Sequence, residues 1–488
     1  MAEVVVVGGG VGGLAASIRL RVLGHDVTVY ERHAVPGGKL AVYERDGFVF
    51  DIGPSLVTLP AVYDELFRLA CTTLADEVEL VRLDPQFRYS WRDATTFDVR
   101  DDGCDLPGYD EFVRRGRTIW DVSERTFFAG PMTGPWSLAK RLRRPSDLTD
   151  IDPLRTLDAA ARRCFTDEHM VQWAGRYATY SGSSPFAAPA TLGCIAYVEH
   201  AFGCWYPMGG LGALRDAFVR VAERVGVRIH CSSDVARIDA SGTRVEAVVL
   251  ADGTRHVADV VVANADATHL YRDMLPDRRG LKKVQRATPS TSGFVVVAGV
   301  RGVTPGITHH NIWFSDDERV EFDSLAEGRL ADDPTIYACV SSVTDSSQAP
   351  VGHENWFLLV NTPAGVPVDR AGYETLVLRR LAEHGVDLRS RLVFTDTITP
   401  ADLEQRHRSP GGAIYGSSSD GRRAAFVRPA NRGVRQGLYL VGGSSHPGGG
   451  LPLVTMSARI VADMIADDLS HDMIDDDLSH DMIADDHR

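Results

Sequence analysis

Residues 3–31 of the chain read EVVVVGGGVGGLAASIRLRVLGHDVTVYE, and this stretch predicts the fold. Val4–Val7 is a short apolar run of the kind that forms a buried parallel strand, and Leu14–Leu23 favours a helix directly after it. Gly24 stands where a helix C-cap is expected, and Val27–Tyr30 predicts a second strand. The order of strand, helix and strand is a βαβ unit, which is typical of open α/β folds.

The turn between the first strand and the helix carries glycines with distinct roles. Gly8 permits the tight turn, Gly10 lets the backbone approach a pyrophosphate, and Gly13 lets the helix and the strand pack closely. The helix N-terminus offers free N–H groups and a partial positive charge to phosphates. Glu31 ends the second strand about 20 residues further on, where a carboxylate accepts hydrogen bonds from ribose hydroxyls. The segment therefore predicts a dinucleotide site.

Three further segments indicate which dinucleotide the chain binds. Residues 31–39 read ERHAVPGGK, residues 46–55 read DGFVFDIGPS, and residues 437–452 read GLYLVGGSSHPGGGLP. They resemble the second glycine motif, the ring-proximal segment and the C-terminal flavin motif of the phytoene desaturase family, within the flavin-dependent amine oxidase superfamily. NAD dehydrogenases lack these features. The resemblance therefore implies FAD as the cofactor and an apolar polyene of the carotenoid type as the substrate.

The motifs assign the FAD site residue by residue. Backbone N–H groups at Gly38 and Lys39 suit the diphosphate or ribityl chain, and Gly53 and Pro54 let the backbone pass close to the ring. Val235 matches the position whose backbone meets the adenine in this family. The predicted FAD-binding residues are Gly8, Gly10, Val11, Gly12, Gly13, Glu31, Arg32, Gly38, Lys39, Gly53, Pro54, Ser55, Val235, Gly442, Gly443, Gly450, Leu451 and Pro452.

The resemblance covers nearly the whole chain except its acidic tail. Residues 205–210 (WYPMGG), 308–315 (THHNIWFS) and 349–355 (APVGHEN) also resemble the family. The C-terminal motif is more similar to carotenoid 3,4-desaturases that act on hydroxylated or methoxylated intermediates. The family chemistry implies removal of two hydrogens from adjacent carbons of a phytoene-type or 1-hydroxycarotenoid substrate, with oxygen or a quinone as the electron acceptor.

The predicted fold is α/β, with a Rossmann-like FAD-binding domain built from discontinuous segments and an inserted mixed α+β substrate domain. A chain of 488 residues is too long for one ordinary compact domain. We expect the FAD-binding domain at 1–75, 205–285 and 425–468, and the substrate- and membrane-facing domain at 76–204 and 286–424. Asp252-Gly253 predicts a hairpin turn. Further predicted strands are 227–230, 235–238, 245–250, 257–263, 294–300, 336–340 and 356–360.

An acidic repeat tail occupies residues 469–488, and its repeat begins slightly upstream. Residues 463–471, 472–480 and 481–488 read DMIADDLSH, DMIDDDLSH and DMIADDHR. This repeat fits both an extended terminal helix and a disordered acidic extension, and the sequence leaves the two open.

Charge and cysteine content exclude several classes of protein. The net charge of −14 is concentrated in the tail and no broad basic surface is indicated, so nucleic acid is not an expected partner. The seven cysteines are scattered without a CxxC pair, which argues against a disulfide framework or a zinc site, and no metal is predicted. No apolar run has the length of a membrane span and the start lacks the features of a signal peptide, so we expect a cytoplasmic protein.

One segment, residues 127–148, indicates peripheral membrane association. Its apolar side chains accompany four basic ones, which suits docking at an anionic bilayer surface. The alternative is a helix with a buried apolar side and a solvated basic side. The residues concerned are Phe127, Phe128, Met132, Trp136, Leu138, Leu142, Lys140, Arg141, Arg143 and Arg144.

The catalytic base is left open by the sequence. The favoured candidates are His446, because its motif is expected beside the flavin, and Arg176 and Tyr180 in the segment GRYATY. Tyr177, His309 and His310 are further candidates. A histidine has a pKa suited to proton transfer near neutrality, and the alternative for each residue is a structural hydrogen bond.

Other functions share these motifs. A carotenoid isomerase needs no net electron acceptor, and a polyene saturase adds hydrogens, so product mass separates both from a desaturase. A flavin-containing lipid-binding protein without turnover is an alternative from another class, and it would show no flavin reduction by any polyene.

Overall fold

The computed structural model describes residues 1–421 and 424–485, with the side chains of these residues except 425 and 472–485. Its strands are, in chain order, β1 (Glu3–Val7), β2 (Asp26–Tyr30), β3 (Val42–Arg45), β4 (Phe48–Asp51), β5 (Leu80–Arg82), β6 (Phe87–Ser90), β7 (Thr96–Val99), β8 (Trp205–Pro207), β9 (Arg228–His230), β10 (Val235–Ser241), β11 (Arg244–Leu250), β12 (Arg255–Val257), β13 (Val260–Ala263), β14 (Ser292–Arg301), β15 (His310–Trp313), β16 (Ile336–Cys339), β17 (His353–Thr362), β18 (Leu392–Ile398) and β19 (Leu438–Leu440).

The α-helices are α1 (Val11–Val22), α2 (Pro60–Leu69), α3 (Leu74–Glu77), α4 (Tyr109–Thr126), α5 (Pro135–Ala139), α6 (Asp147–Asp150), α7 (Leu157–Cys164), α8 (Glu168–Gly175), α9 (Cys194–Phe202), α10 (Leu211–Arg224), α11 (Ala267–His269), α12 (Arg278–Val284), α13 (Glu318–Ala326), α14 (Arg370–Glu383), α15 (Pro400–His407), α16 (Ala424–Val427) and α17 (Leu451–Asp485).

The first βαβ unit lies at the centre of a parallel five-stranded sheet with the order β19-β13-β1-β2-β9. Because β1 pairs with β2 on one side and with β13 on the other, its valines are buried on both faces. Val4 and Val6 share a core with α1, α10 and α17, and Val5 and Val7 share a second core with β11 and β19. This burial explains the uninterrupted apolar run. The predicted α/β class is confirmed.

The predicted strand at 257–263 is divided between two sheets. Val257 ends β12, which pairs antiparallel with β11 across the predicted hairpin turn, whereas Val260–Ala263 form β13 of the parallel sheet. Between them, Asp259 donates its backbone N–H to the Glu3 carbonyl at 2.9 Å, which directs the chain into the parallel sheet. Asp259 interrupts the apolar residues of this segment at the point where the chain changes sheet, and the predicted strand at 257–263 ran through it.

The second large sheet has the order β18-β14-β17-β16-β15-β6-β7, and only the pairing of β15 with β6 is parallel among the described residues. One face shares a core with α14 that includes Trp356 and Leu381. The opposite face shares a core with the hairpin of β3 and β4 that includes Phe50 and Phe357. Phe357 also lines a large cavity between this sheet and the parallel sheet, so the seven-stranded sheet forms one wall of that cavity.

An aromatic core supports the opposite side of the cavity. Helices α4, α7, α8 and α9 pack with β6 and β7 around Trp173, whose ring centroid lies 5.4 Å from that of Tyr109 and 5.5 Å from that of Tyr177. Large aromatic contacts of this kind bury much apolar area at fixed geometry. They hold the 3₁₀ segment Arg176–Ser181, which follows α8 directly.

The terminal helix α17 extends through most of the acidic repeat. Its first half packs in the same core as α1, where Ile460 and Ile465 are buried. Of the two alternatives for the tail, the helical one agrees with α17 as far as Asp485, and residues 486–488 lie outside the described part. Among the helices that the structure describes, none combines the length and apolarity needed to cross a bilayer.

Candidate active site

A cavity of about 510 Å³ joins the parallel sheet to the seven-stranded sheet. The glycine turn after β1 and the turn after β19 line one part of it, and aromatic and aliphatic side chains line another. Every predicted FAD-binding residue lines this cavity except Gly13, which lies behind the turn. The fold therefore brings together motifs that are more than 400 residues apart in the chain, at positions such as Gly8 and Gly450.

The glycine turn is packed too tightly for side chains. A Cβ on Gly13 would lie 2.2 Å from the Gly8 carbonyl oxygen, and one on Gly10 would lie 2.8 Å from Asn264 Nδ2. Asn264 itself donates a hydrogen bond from Nδ2 to the Gly8 carbonyl at 3.1 Å. The backbone at this turn is thus exposed to a ligand, as a pyrophosphate site requires. Sequence reasoning missed Asn264, which follows β13 and carries no motif.

Glu31 is held at the end of β2 by backbone donors. Its Oε2 accepts a hydrogen bond from Gly9 N–H at 2.8 Å, and its Oε1 accepts one from His33 N–H at 2.8 Å. Each carboxylate oxygen has a second acceptor position. The carboxylate therefore fixes the turn and still has capacity for the ribose hydroxyls that the sequence assigned to it.

A buried cation faces the same cavity. The Lys39 ammonium donates to the Ile414 carbonyl, and burial lowers the pKa of Lys39 to about 8, partly offset by the nearby Asp266 carboxylate. A buried ammonium that has a carbonyl as its hydrogen-bond partner fits an anionic ligand. The open glycine backbone and Lys39 together are the features expected of residues that hold the FAD diphosphate.

The C-terminal flavin motif is fixed by Arg428, to which the sequence had assigned no role. The Arg428 guanidinium donates to the carbonyl oxygens of Tyr415 at 3.1 Å, Ser417 at 2.6 Å and Gly443 at 2.7 Å. Burial lowers the pKa of Arg428 to about 10, which leaves it charged at neutral pH. This residue ties two cavity-lining segments to each other.

His446 lies apart from the residues that line the cavity. Its Nε2 is 3.2 Å from the Gly130 carbonyl oxygen, and its ring contacts that of Phe127 at a centroid distance of 4.6 Å. Burial lowers the pKa of His446 to about 4, so the imidazole is neutral at physiological pH. The geometry is that of a packing residue behind the turn.

Arg176 and Tyr180 do line the cavity. The Arg176 guanidinium lies among the rings of Phe87 and Tyr180, at 4.6 and 5.0 Å from their centroids, and donates to the Tyr89 hydroxyl at 3.1 Å. These contacts are of the cation–π type. The structure thus brings a buried cation to the cavity wall, close to aromatic side chains.

A carboxylate that the sequence analysis did not single out lies behind Tyr180. Glu199 is 1% exposed and accepts hydrogen bonds from the Tyr180 hydroxyl and, at 2.9 Å, from the Tyr177 hydroxyl. Burial raises the pKa of Glu199, while Arg176 and the two hydroxyls lower it. Burial also raises the pKa of Tyr180 well above its usual value, so the phenol keeps its proton and acts as a donor.

A second polar contact enters the cavity wall from β16. The Tyr337 hydroxyl lies within hydrogen-bond distance of Ser55 Oγ, at 2.5 Å, and of His310 Nδ1, at 2.8 Å. Ser55 and Tyr337 both line the cavity, whereas His309 and His310 lie behind it. The two histidines proposed as bases therefore reach the cavity only through other side chains.

The comparison with known families agrees with this site. The model of the family "Flavin containing amine oxidoreductase" matches residues 11–466. The chain belongs to this family. FAD is accordingly its cofactor, and the protein is an FAD-dependent oxidoreductase. FAD supplies an acceptor for electrons removed from a substrate.

Two relatives are similar over nearly their whole length. The chain is 34% identical to the 4,4'-diapolycopene oxygenase of Methylomonas sp over 489 residues, which covers 96% of this chain and 98% of that protein. It is 32% identical to the 4,4'-diaponeurosporene oxygenase of Staphylococcus aureus over 485 residues, with 95% and 98% coverage. The resemblance to carotenoid-related FAD oxidoreductases is therefore confirmed.

Solved structures share the fold at low identity. Putrescine oxidase superimposes with a TM-score of 0.67 at 14% identity, covering 96% of this chain and 99% of that one. The fatty acid isomerase from P. acnes that produces CLA superimposes with a TM-score of 0.63 at 13% identity, covering 95% and 98%. Both support the α/β architecture of the FAD-binding oxidoreductases.

Proposed function

We propose that the protein oxygenates a carotenoid-type polyene, as the names of its two relatives indicate for those proteins, and that it does so at one end of the chain. The observation that carries this proposal is the single cavity in which the flavin motifs meet a wall of apolar and aromatic side chains. That wall includes Ile312, Phe314, Phe322, Phe357 and Leu359. Apolar lining of this kind suits a hydrocarbon chain and excludes water from it.

End oxidation has a definite atom balance. With water as the oxygen source, converting a terminal methyl group to an aldehyde releases four electrons and four protons, so FAD, which accepts two electrons at a time, has to be reduced and reoxidised twice. With dioxygen as the source, one oxygen atom enters the aldehyde and the other leaves as water. Bound FAD supplies the electron acceptor, and reoxidation by oxygen or a quinone is part of the proposal. The chain's own residues then have to orient the polyene end and move protons.

Arg176 is proposed to orient the oxygenated end of the substrate. The guanidinium lines the cavity and uses one N–H on Tyr89, and an arginine carries five N–H donors in total. A hydroxyl or aldehyde oxygen is an acceptor for the remaining donors. A buried cation with free donors beside aromatic side chains therefore favours a polyene with one polar end over a pure hydrocarbon.

Tyr180 and Glu199 are proposed to carry the proton. The Tyr180 oxygen accepts a proton from the substrate while its own hydroxyl proton passes to the Glu199 carboxylate, along the hydrogen bond that joins them. Burial raises the pKa of Glu199, which makes its carboxylate a stronger base than an exposed one. This relay replaces His446 as the favoured base.

Desaturation remains the second candidate function. It is favoured by the C-terminal motif at 437–452, which is more similar to that of carotenoid 3,4-desaturases. The same cavity and proton relay serve the removal of two hydrogens from adjacent carbons. A phytoene-type or 1-hydroxycarotenoid substrate belongs to this second candidate.

Peripheral membrane contact is proposed for part of residues 127–148. Trp136 is 81% exposed, and Lys140, Arg143 and Arg144 are exposed beside it. Arg141 is engaged elsewhere, because its guanidinium donates to backbone carbonyls of 126, 130 and 131. The proposed docking face is therefore Trp136 with three basic residues, which suits an anionic surface from which the polyene is taken.

Product mass is the test of the proposed reaction. Purified FAD-loaded protein is incubated with liposomes that contain 4,4'-diapolycopene, 4,4'-diaponeurosporene or phytoene, in isotopically labelled dioxygen or labelled water. End oxidation predicts products that gain oxygen, and the label shows its source. A product lighter by two hydrogens without oxygen supports desaturation, and an unchanged mass with a changed double-bond geometry supports isomerisation.

A further inference from the structure

Three potential metal ligands meet behind the cavity wall, outside the FAD site. His309, His310 and Cys339 are 3%, 0% and 7% exposed, and one ligand atom from each lies within 4.8 Å of the others. The pairing of β15 with β16 sets His310 opposite Cys339, and His309 directly precedes β15. Strand pairing therefore brings His310 and Cys339 together, and His309 adds the third ligand from the position before β15.

Hydrogen bonds orient both imidazoles. His309 Nδ1 is 2.7 Å from Thr344 Oγ1, and His310 Nδ1 is 2.8 Å from the Tyr337 hydroxyl. The Nε2 atoms of both rings are buried and have no hydrogen-bond partner among the described residues. An imidazole with one nitrogen fixed by a hydroxyl and the other left free is the arrangement of a metal-binding histidine.

The surroundings favour a cation at this cluster. The Asp345 carboxylate interacts electrostatically with His309, and the Asp51 carboxylate interacts electrostatically with Cys339. Two nearby negative charges and a thiol that becomes a thiolate on metal binding would offset the charge of a bound ion.

We propose that His309, His310 and Cys339 bind one transition metal ion of borderline or soft character, Zn²⁺ or Cu⁺. Two imidazoles and one thiolate are a donor set that both ions accept. Tetrahedral zinc geometry separates its ligand atoms by about 3.6 Å, so small side-chain rotations close the cluster onto the ion. This proposal departs from the expectation of no metal, which rested on scattered cysteines without a CxxC pair.

The ion would also order the cavity wall. Metal bound at His310 Nε2 fixes the proton on Nδ1, which then donates to the Tyr337 oxygen. The Tyr337 hydroxyl proton is in turn directed to Ser55, which lines the cavity. The metal is thus a structural element that sets hydrogen-bond directions near the flavin motifs, independently of which polyene reaction the protein performs.

Metal content of the whole protein tests the proposal. Untagged, FAD-loaded protein is purified from cells grown with added zinc or added copper, dialysed against a chelator, and measured by mass spectrometry of the elements. We expect close to one ion per chain of one of the two metals. Cys339→Ser lowers this content at least about tenfold, while Cys194→Ser, which changes another buried cysteine, leaves it unchanged.

Flavin content and X-ray absorption complete the test. Unchanged FAD content in Cys339→Ser shows that the variant is folded. If that variant does not retain FAD, the absorption spectrum of the wild-type metal decides, because the proposal requires one sulfur and two imidazole neighbours. The proposal is overturned if the wild-type protein contains neither metal, or if Cys339→Ser leaves the metal content intact. It is also overturned if the absorption spectrum shows no sulfur neighbour, because the ion would then be bound by histidines and aspartates elsewhere in the chain.

Discussion

Asn264 and Gly442 meet at the flavin turn: a Cβ added to Gly442 would lie 2.5 Å from Asn264 Oδ1. Asn264 also donates to the Gly8 carbonyl at 3.1 Å. One amide side chain therefore lies between the N-terminal glycine turn and the C-terminal one, and it bonds the first of them.

We predict that Gly442→Ala abolishes most FAD retention. The residue has a φ of 104°, which an alanine adopts only with strain, and its Cβ would displace the Asn264 amide. Asn264→Ala should have a milder effect, about 1 kcal/mol or roughly fivefold in FAD affinity, through loss of its hydrogen bond. Flavin absorbance per chain after gel filtration measures both.

Gly253→Ala is the matched control for that prediction. Gly253 has a φ of 88° in the hairpin turn, and no atom lies within 4 Å of an added Cβ. An alanine at 253 therefore has the same kind of backbone strain as one at 442, but its Cβ displaces no neighbouring atom. Equal loss of FAD in this variant and in Gly442→Ala would mean that general destabilisation, and not the turn, explains the result.

FAD affinity should weaken as pH rises through about 8, because the Lys39 ammonium is charged below its pKa and neutral above it. Burial lowers the pKa of Lys39 in the folded protein, so above about pH 8 the unfolded chain still holds a proton on this lysine that the folded chain has lost. The flavin-free protein should therefore gain stability as pH rises above about 8. Titration of flavin-free protein with FAD across this range measures the first effect, and thermal unfolding measures the second.

Lys39→Met should bind FAD more weakly at neutral pH and show no change in affinity through this range. Lys140→Met, which removes an exposed charge far along the chain, serves as the control and should behave as the wild type. A Lys39→Met protein with the wild-type pH dependence would show that another group interacts with the diphosphate.

The proton relay predicts a specific difference between two tyrosines. Tyr177 and Tyr180 both donate to Glu199, but only Tyr180 lines the cavity. Tyr180→Phe and Glu199→Gln should each lower kcat by about 10²-fold with FAD content unchanged. Tyr177→Phe should keep kcat within about threefold, because it removes a hydrogen bond from Glu199 without breaking the path to the substrate.

Steady-state kinetics on liposome-borne polyene, with the pH profile of kcat, measure this difference. The relay also predicts that the rate falls at acidic pH as Glu199 becomes protonated, and that Glu199→Gln loses this acidic limb. If Tyr177→Phe and Tyr180→Phe lower kcat to a similar extent, both hydrogen bonds to Glu199 are needed for structure. That result would contradict the relay and leave the base unassigned.

Membrane docking predicts a charge effect that depends on position. Lys140→Ser, Arg143→Ser and Arg144→Ser combined should weaken binding to anionic liposomes by roughly 100-fold, at about 1 kcal/mol for each basic residue near the surface. The combined change of Lys282, Lys283 and Arg286 to Ser removes the same charge from another exposed face. Liposome co-sedimentation compares the two, and equal weakening would show that only net charge matters.

The sequence predicted those parts of the molecule that depend on neighbours in the chain. The buried strand at Val4–Val7, the glycine turn and the C-terminal motif each carry their signal within a few residues. The predicted FAD-binding residues, except Gly13, line one cavity, and their individual roles in FAD binding stay a prediction. The predicted strand at 257–263 was wrong in running through Asp259, because the apolar residues on both sides of it suit a strand and the sequence does not show that the two sides belong to different sheets.

The parts that were missed depend on contacts between distant segments. Asn264 bonds Gly8 across 256 positions, and Glu199 and Cys339 gain their partners through packing of helices and pairing of strands. His446 was favoured because it stands in a flavin motif, yet its side chain turns towards Gly130, and a motif does not reveal the direction of a side chain. The domain boundaries near 75, 204, 285 and 424 stay a prediction.

The central claim is that a carotenoid-type polyene gives its electrons to FAD within this cavity, and anaerobic mixing tests it most directly. FAD-loaded protein is mixed without oxygen with liposomes that hold 4,4'-diaponeurosporene, and the visible flavin absorbance is followed. The account predicts bleaching with the polyene and none with empty liposomes, and much slower bleaching in Tyr180→Phe. Flavin that stays oxidised with this polyene, with phytoene and with a 1-hydroxycarotenoid would contradict the account and favour an isomerase or a lipid-binding role.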